Sequence, residues 1–315
     1  MGRSVRTGIA IALTSMLPML TFVPSASAGQ VTVTPVEVDA MVGPERDVRC
    51  RIVADLYVPP GASQEDPQPA ILTTHGFGGS KESQAGLARA FAEKGYVVLA
   101  YSGLGFGGSD CKIHLDHPDW DGRAASRLVD YLAGLDIVEL DADGDPRVGM
   151  FGGSYGGGVQ FAAAAVDDRI DAIVPAVTWN DLSYALGPNN AGLDGTTSTA
   201  EPGVLKRFWT DLFAVFGILR GLEHAPGDPR RLIGCPNFAD WVCPTLIEAN
   251  VTGYVDEKAI ARLREVSVAS YASNVRAPTL ILQGQDDTLF NLQEAAATYR
   301  ALRDQGTPVR MIWHK

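Results

Sequence analysis

Short apolar runs and amphipathic stretches alternate along most of this chain. The apolar runs predict buried strands, and stretches with apolar residues on one helical face, such as 84–94 and 124–133, predict helices. Two earlier segments, 31–34 and 51–58, alternate between apolar and polar residues as half-buried strands do. Strands that alternate with helices are typical of a mostly parallel sheet covered on both faces. The predicted buried strands are 70–74, 97–101, 148–151, 172–177, 278–282 and 309–313.

The alternation stops after Trp179 and resumes near residue 278. Between these points the chain has clusters of Pro, Gly and Asn and aromatic-rich helical pieces, which are typical of an insertion between two strands. We therefore expect a core with a first part at 29–180 and a second part at 273–315. The intervening residues 181–272 are expected to form a helical cap over the active site.

The first 28 residues have the three regions of a secretory signal peptide. Arg3 and Arg6 precede an apolar stretch at 8–23, and Ala26-Ser27-Ala28 offers a cleavage site before Gly29. The apolar stretch is short for a membrane anchor and small residues follow it. The sequence therefore predicts an exported protein, cleaved after Ala28, with no stable membrane anchor.

Charge and cysteine content narrow the class of partner and the compartment. The 315 residues carry a formal net charge of −11 without a basic run, which argues against nucleic acid as a partner. Hydrophobic residues make up 46% of the chain, enough for a full-sized core. Four cysteines in an exported protein predict two disulfides, and three connectivities are possible. These cysteines are Cys50, Cys111, Cys235 and Cys243.

The most informative segment for chemistry is Gly152-Gly153-Ser154-Tyr155-Gly156. It follows the apolar run 148–151 and precedes a helical stretch, so that a serine stands at a sharp turn from strand to helix. Small residues on both sides of Ser154 allow such a turn, and a helix N-terminus beneath the serine favours developing negative charge. This context predicts that Ser154 is the nucleophile of an α/β-hydrolase.

A serine nucleophile needs an oxyanion hole, an acid and a base. Two backbone N–H groups are expected to form the oxyanion hole, those of Phe77 and Tyr155. The acid is expected after the strand that follows the cap, where Asp287 is the first choice and Asp286 the second. His75 is expected to brace the loop that carries Phe77.

The base is the difficult member of the predicted triad. In this fold the histidine follows the acid in chain order, and among the five histidines only His314 is late enough. His314 abuts Trp313 at the end of the last predicted strand, where no loop carries it toward Ser154. It is therefore only the fallback candidate.

Several motifs together resemble the serine hydrolases grouped with Xaa-Pro dipeptidyl-peptidases and cocaine esterase, the S15-like peptidases. In such relatives the last strand runs into a Gly-Gly-His loop that carries the base. The resemblance therefore implies that this chain is truncated just before its catalytic histidine. Several relatives also use a tyrosine hydroxyl in the oxyanion hole, whereas Phe77 can offer only its N–H group. The matching stretches are 75–81, 105–109, 148–158, 178–182 and 280–284.

The same fold suggests how the cysteines pair. Cys50 is expected in the second strand, antiparallel to the rest, and Cys111 in the loop after the neighbouring fourth strand. Cys235 and Cys243 bracket a short loop in the cap. We therefore expect the disulfides Cys50–Cys111 and Cys235–Cys243.

Taken with its motifs, the chain is predicted to be a secreted serine hydrolase that forms an acyl-enzyme. Peptide hydrolysis of the Xaa-Pro dipeptidyl-peptidase type, at an amino terminus, is the preferred reaction. The alternatives are a carboxylesterase or acylase and a non-catalytic binding protein on a hydrolase scaffold. A peptide or small molecule is the expected substrate, with no cofactor and no metal. The glycines at 103, 105 and 108 fit a dinucleotide motif only loosely, because no helix follows them.

Overall fold

A single eight-stranded sheet organises the chain in the computed structural model, which describes residues 29–187 and 204–315. The strand order is β1-β2-β4-β3-β7-β8-β9-β10, and β2 alone runs against the others. A two-stranded hairpin, β5-β6, lies apart from the sheet. The strands are β1 Thr32–Val42, β2 Val48–Val58, β3 Ala70–Thr74, β4 Val97–Tyr101, β5 Leu140–Ala142, β6 Asp145–Pro146, β7 Val148–Gly153, β8 Ile170–Ala176, β9 Thr279–Gly284 and β10 Val309–His314.

The helices follow the strands as the alternating pattern predicts. Together with the sheet they form the α/β-hydrolase architecture expected from the sequence. Within the described ranges, the α-helices are α1 Ala85–Ala92, α2 Arg123–Ala133, α3 Tyr155–Ala164, α4 Leu182–Leu186, α5 Arg207–His224, α6 Val242–Thr252, α7 Glu257–Glu265, α8 Val268–Tyr271 and α9 Leu292–Asp304.

Alternating side chains of the central strands supply two hydrophobic cores. In β4, Val97, Leu99 and Tyr101 belong to the core that also contains Leu128 of α2. The side chains of Val98 and Ala100 point to the opposite face, in the core that contains Ala88 and Ala92 of α1. All five residues of β4 are buried, as a strand covered on both faces requires.

Two elements lie outside the strands and helices predicted from the sequence. One is the hairpin β5-β6, where Arg147 bridges Glu139 and Asp141 and ties this segment together. The other is helix α9, which begins at Leu292. The five residues before it are occupied by a turn in which Asp287 accepts backbone hydrogen bonds.

The residues between β8 and β9 contribute helices α4 to α8. Two polar contacts tie this insertion to the loops at the carboxyl edge of the sheet. Lys206 donates to the carbonyl oxygens of Thr288 and Leu289, both at 2.9 Å, and Arg220 donates to that of Gly78 at 2.9 Å. The insertion is therefore anchored beside the strand ends.

Both predicted disulfides are present. Cys50 in β2 pairs with Cys111 in the loop after β4, with their Cα atoms 5.7 Å apart. Cys235 pairs with Cys243 within the insertion, with their Cα atoms 5.4 Å apart. Two disulfides indicate an oxidising compartment.

The signal peptide predicted at 1–28 lies outside the described residues. Among the residues that the structure covers, no helix has the length and apolar character needed to cross a membrane.

Candidate active site

Ser154 stands at the turn between β7 and α3 in an unusual backbone conformation. Its φ and ψ are 57° and −120°, a region that residues with a side chain rarely occupy. The turn is possible because its flanks are glycines. A Cβ atom at Gly152 would lie 2.6 Å from the carbonyl oxygen of Gly156, and one at Gly156 would lie 2.5 Å from that of Thr74. The sequence motif therefore encodes a strained turn that presents a serine above the N-terminus of α3.

The loop after β3 lies directly beside this turn. A Cβ atom at Gly76 would be 3.6 Å from Cβ of Ser154, so the two loops are in contact. Within the described part of the chain, the backbone N–H groups of Phe77 and Tyr155 donate no hydrogen bond. Two N–H groups without a hydrogen-bond acceptor therefore lie on the loops that adjoin the serine, and their role in an oxyanion hole stays a prediction.

His75 braces this loop rather than facing the serine. Its Nε2 accepts the N–H of Gly103 at 3.0 Å, and its Nδ1 lies 2.8 Å from the carbonyl oxygen of Gly76. Together these contacts require a neutral ring that is protonated on Nδ1. Burial lowers the pKa of His75 to about 4. Both ring nitrogens are thus engaged in holding the loop.

The loop after β9 brings two acids to the same cleft as Ser154. Oδ1 of Asp287 accepts the N–H groups of Leu289 and Phe290, at 2.8 and 2.7 Å. Its Oδ2 accepts no hydrogen bond from the described residues, so it is available to a further donor. Asp286 is exposed, whereas Asp287 is half-buried. A carboxylate held by one oxygen is suited to orient a base with the other, which favours Asp287.

The histidines other than His75 lie away from the serine or carry other contacts. His114 stacks on Trp120 with ring centroids 3.6 Å apart, and burial lowers its pKa to about 3. His117 accepts the N–H of Asp119 at 3.0 Å. Both histidines are half-buried. His224 lies 3.9 Å from Glu223 on helix α5.

His314 is exposed at the end of β10, beside Gly284. Its carbonyl oxygen accepts the N–H of Gln285 at 2.9 Å, which places the end of β10 against the loop that carries Asp287. Between the described residues, no hydrogen bond joins a histidine to Ser154 or Asp287.

Two cavities meet at Ser154. An enclosed one of about 130 Å³ lies between the core and the insertion, and its walls are almost entirely apolar. An open cleft of about 550 Å³ contains Asp286 and Asp287. Phe77 and Phe213, whose ring centroids are 5.0 Å apart, border both spaces. Other residues that line the enclosed cavity are Leu115, Tyr155, Trp179, Trp241 and Ala249.

Four aromatic residues were candidates to line a pocket. Phe213 and Trp241 border the enclosed cavity, and Trp209 borders the open cleft. Phe216 lines neither of these two spaces; its side chain is 44% exposed. Phe216 packs beside Gly78 instead, where a Cβ atom built on the glycine would lie 3.6 Å from Cβ of Phe216.

A peptidase that acts at an amino terminus needs an acid to bind the substrate ammonium group, and Glu223, Asp228 and Asp240 lie in the insertion. Glu223 is exposed and pairs with Arg220. Asp228 is buried, accepts the N–H of Cys111 at 3.1 Å, and pairs with Arg230. Asp240 pairs with Lys112 away from the serine. None of the three lines either cavity at Ser154.

Sequence reasoning missed two features of this site. One is Lys206, whose contacts brace the loop next to Asp287. The other is the buried pair Asp116 and Asp121 behind Tyr155. Neither has a motif or spacing that marks it, because each depends on contacts between distant segments.

The sheet order and the strained turn at Ser154 are those of the α/β-hydrolase fold. Residues 47–201 match the family profile of the X-Pro dipeptidyl-peptidases, the S15 family. The resemblance predicted from the sequence motifs is thereby confirmed.

Among sequence relatives, protein PA2218 of Pseudomonas aeruginosa is 33% identical over 156 residues, which cover 48% of this chain and 40% of that protein. A bis(hydroxyethyl) terephthalate hydrolase of Streptomyces coelicolor is 32% identical over 142 residues, or 42% of this chain and 43% of that enzyme. The matches thus span about two fifths of the length of these relatives.

Solved structures show the same fold over nearly the whole chain. The crystal structure of PA2218 superposes with a TM-score of 0.56 at 18% identity and covers 96% of this chain and 92% of the other. An acylaminoacyl peptidase of Pyrococcus horikoshii gives a TM-score of 0.57 at 16% identity, covering 91% of this chain and 37% of the peptidase. The terephthalate hydrolase and the acylaminoacyl peptidase are hydrolases by name, and this chain has the fold of the second.

Proposed function

We propose that this protein is a serine hydrolase that forms an acyl-enzyme through Ser154. The observation that carries the proposal is that Ser154 stands where an enclosed apolar cavity meets an open cleft containing Asp287. In this proposal the N–H groups of Phe77 and Tyr155 hold the oxyanion, and water then deacylates the enzyme. Asp287 orients the histidine that takes the serine proton.

In this proposal the base is a histidine other than His75, His114 and His117, and His314 is the fallback candidate among the 315 residues. The support is geometric, because His75, His114 and His117 are engaged in other contacts. We also propose that residues 181–272 act as the cap and that the protein is exported. The two disulfides and the signal-like residues at 1–28 support export.

The proposed substrates are esters or acyl compounds with an apolar group that fits the enclosed cavity. That cavity is almost entirely apolar, and no acid lines it. An aminopeptidase would need an acid to bind the substrate ammonium group, and the three acids considered for that role lie elsewhere. The terephthalate ester hydrolase among the relatives supports the same class.

A peptidase acting at an amino terminus is the second candidate. It is favoured by the match of residues 47–201 to the X-Pro dipeptidyl-peptidase profile. A paired assay separates the two, using aryl esters of aromatic or medium-chain acids and aminoacyl-prolyl anilides with free or blocked amino termini. We expect hydrolysis of the esters. Hydrolysis confined to anilides with a free amino terminus would refute the ester proposal and establish the peptidase.

A fluorophosphonate probe tests the nucleophile directly. The full-length enzyme should be labelled, and the Ser154→Ala variant should not. A folded protein that hydrolyses neither substrate class and resists the probe would instead be a binding protein on a hydrolase scaffold.

A further inference from the structure

A small cavity of about 10 Å³ lies against Tyr155. Asp116 and Asp121 line it, and their exposed fractions are 0% and 3%. Tyr101 of β4 and Tyr155 of α3 line it as well. Two carboxyl groups therefore share one enclosed space that is isolated from solvent.

The polar atoms around this cavity are short of partners. Both carboxyl oxygens of Asp116 and Oδ2 of Asp121 lack a hydrogen bond of good geometry within the described residues. The side chain of Tyr155 and the N–H of Val159 interact with the Asp116 carboxyl group and lower its pKa in part, but burial outweighs them. The same holds for the hydroxyls of Tyr101 and Tyr271. Neither aspartate forms an ion pair in the part of the chain that the structure covers. An ionised carboxylate in such surroundings is costly, and two of them also repel each other.

The groups that face the pair come from three packed elements. Tyr101, Tyr155 and Tyr271 are phenols on β4, α3 and α8, and burial raises the pKa of each well above its usual range. They are therefore neutral and able to donate a hydrogen bond. None of these three elements places a positive charge beside the two carboxyl groups. Their negative charge can therefore be removed only by binding a proton.

Asp116 is joined to the candidate oxyanion hole by direct contacts. Its N–H donates to the hydroxyl of Tyr155 at 3.2 Å. A Cβ atom at Gly158 would lie 2.5 Å from Oδ2 of Asp116, so the carboxyl group rests on the first turn of α3. That turn carries Ser154 and the N–H group of Tyr155.

The backbone conformation at Asp116 supports a role for this residue in positioning Tyr155. Leu115 and Asp116 have φ values of 57° and 60°, the left-handed region that favours glycine. Non-glycine residues hold this conformation only where their surroundings enforce it. Leu115 also lines the enclosed apolar cavity, so this strained segment contacts the substrate space on one side and the carboxyl pair on the other.

We propose that Asp116 and Asp121 form a buried carboxyl pair that keeps at least one proton at neutral pH and positions Tyr155 behind Ser154. The part of this inference that concerns catalysis rests on the proposed function. An ionised pair would place negative charge behind the oxyanion hole and oppose the charge that develops there. The pair is a positioning device, since neither carboxyl group touches the substrate space.

The pH dependence follows from burial. Burial raises the pKa of Asp121 to about 7, and burial together with the charge of Asp121 raises the pKa of Asp116 well above its usual range. A carboxyl group whose folded pKa exceeds its unfolded one stabilises the protein fully below the unfolded pKa. That stabilisation is lost as pH rises through the folded pKa. Each such proton steepens the fall of the folded-to-unfolded ratio by up to tenfold per pH unit.

The first measurement is the stability of the enzyme by denaturant unfolding between pH 7 and 9. Above about pH 7.5, His75 and His114 are almost entirely neutral in both states and contribute little slope. In the wild type the folded-to-unfolded ratio falls as pH rises. Asp116→Asn should make this fall shallower by up to tenfold per pH unit. Both proteins carry Glu294→Gln as a common background, because burial raises the pKa of Glu294 to about 8 and its proton would add a fall of its own in this window.

Activity on an ester gives the second measurement. The wild-type kcat/KM should fall on the order of tenfold as pH rises past 7, from like-charge repulsion in the protein interior. Asp121→Asn should keep the activity of the wild type at pH 6.5 and lose this alkaline fall, whereas Glu294→Gln should retain it. Unchanged alkaline profiles in both Asp116→Asn and Asp121→Asn would overturn the positioning role.

Infrared spectroscopy tests the proton even if these variants fail to fold. In the Glu294→Gln protein at pH 7, the carbonyl band of a protonated carboxylic acid should persist and disappear only at higher pH. Its absence, or a stability that depends on added sodium or potassium ions, would overturn the proposal in favour of ionised carboxylates. A persistent band in a protein without hydrolase activity would leave the protonated pair standing and refute the proposed function instead.

Discussion

On the side of the sheet, the candidate site is made mainly of backbone, whereas on the side of the insertion it is made of side chains. The sheet contributes the turn at Ser154, the free N–H groups of Phe77 and Tyr155, and a carboxylate held by backbone N–H groups. The insertion contributes apolar side chains, among them Phe213, that wall the enclosed cavity.

This difference suggests that the sheet side carries out the reaction and the insertion side selects the substrate. Backbone groups at the ends of parallel strands are fixed by hydrogen bonds and glycine contacts, so they suit the reaction that every substrate undergoes. Apolar side chains on helices can change in size without disturbing the sheet, so they suit the choice of substrate. Substitutions on the sheet side should therefore abolish turnover, and those on the insertion side should alter only which substrates react.

The largest effect should come from Ser154→Ala. Loss of the nucleophile should lower kcat by at least about 10⁴-fold, since only binding and the oxyanion hole remain to catalyse the reaction. Ser83→Ala is the matched control, because Ser83 borders the same open cleft. The control should retain activity within about threefold. Both variants are measured on an aryl ester. A comparable loss of kcat in the two would show that Ser154 is not the nucleophile.

The next effect should separate the two neighbouring acids. Asp287→Asn should lower kcat by about 10²–10⁴-fold, because an amide cannot hold the base in its required tautomer. Asp286→Asn should change kcat by less than about threefold, since Asp286 is exposed. Steady-state kinetics on one ester measure both. The reverse order of losses would make Asp286 the acid.

Removing each disulfide in turn compares how much the core and the insertion depend on their disulfides for stability. The Cys50–Cys111 bridge spans 61 positions of the core, and Cys235–Cys243 spans 8 within the insertion. By loop-closure entropy, replacing the first pair with alanine should cost about 4 kcal/mol of unfolding free energy, and the second about 2.5 kcal/mol. Denaturant unfolding without reductant gives both values. A larger loss from the insertion pair would contradict this entropic account.

Local patterns predicted the sheet side well. The apolar runs predicted β3 and β4 at their observed bounds, and the glycines around Ser154 predicted its turn. Each of these features is encoded within a few consecutive residues. The insertion side was less predictable. Phe213 reaches the enclosed cavity and Phe216 does not, although both lie on α5. Which face of that helix meets the core is decided by contacts with Phe77 and Gly78, far away in sequence.

The smallest effect should come from narrowing the enclosed cavity at Ala249 on α6. Ala249 lines this cavity and is 4% exposed, so Ala249→Leu fills space that an apolar substrate group would occupy. The kcat/KM for esters of long or aromatic acids should fall about tenfold, the usual size of discrimination in an apolar pocket, while acetyl esters should change by less than about twofold. Val251→Leu on the same helix is the control, because Val251 is 82% exposed and should leave both rates unchanged. Thermal unfolding of both variants shows whether overpacking has weakened the fold.

An equal loss of kcat/KM on acetyl and long-chain esters in Ala249→Leu would mean that the insertion takes part in the reaction itself. The sheet side and the insertion side would then not have separate roles.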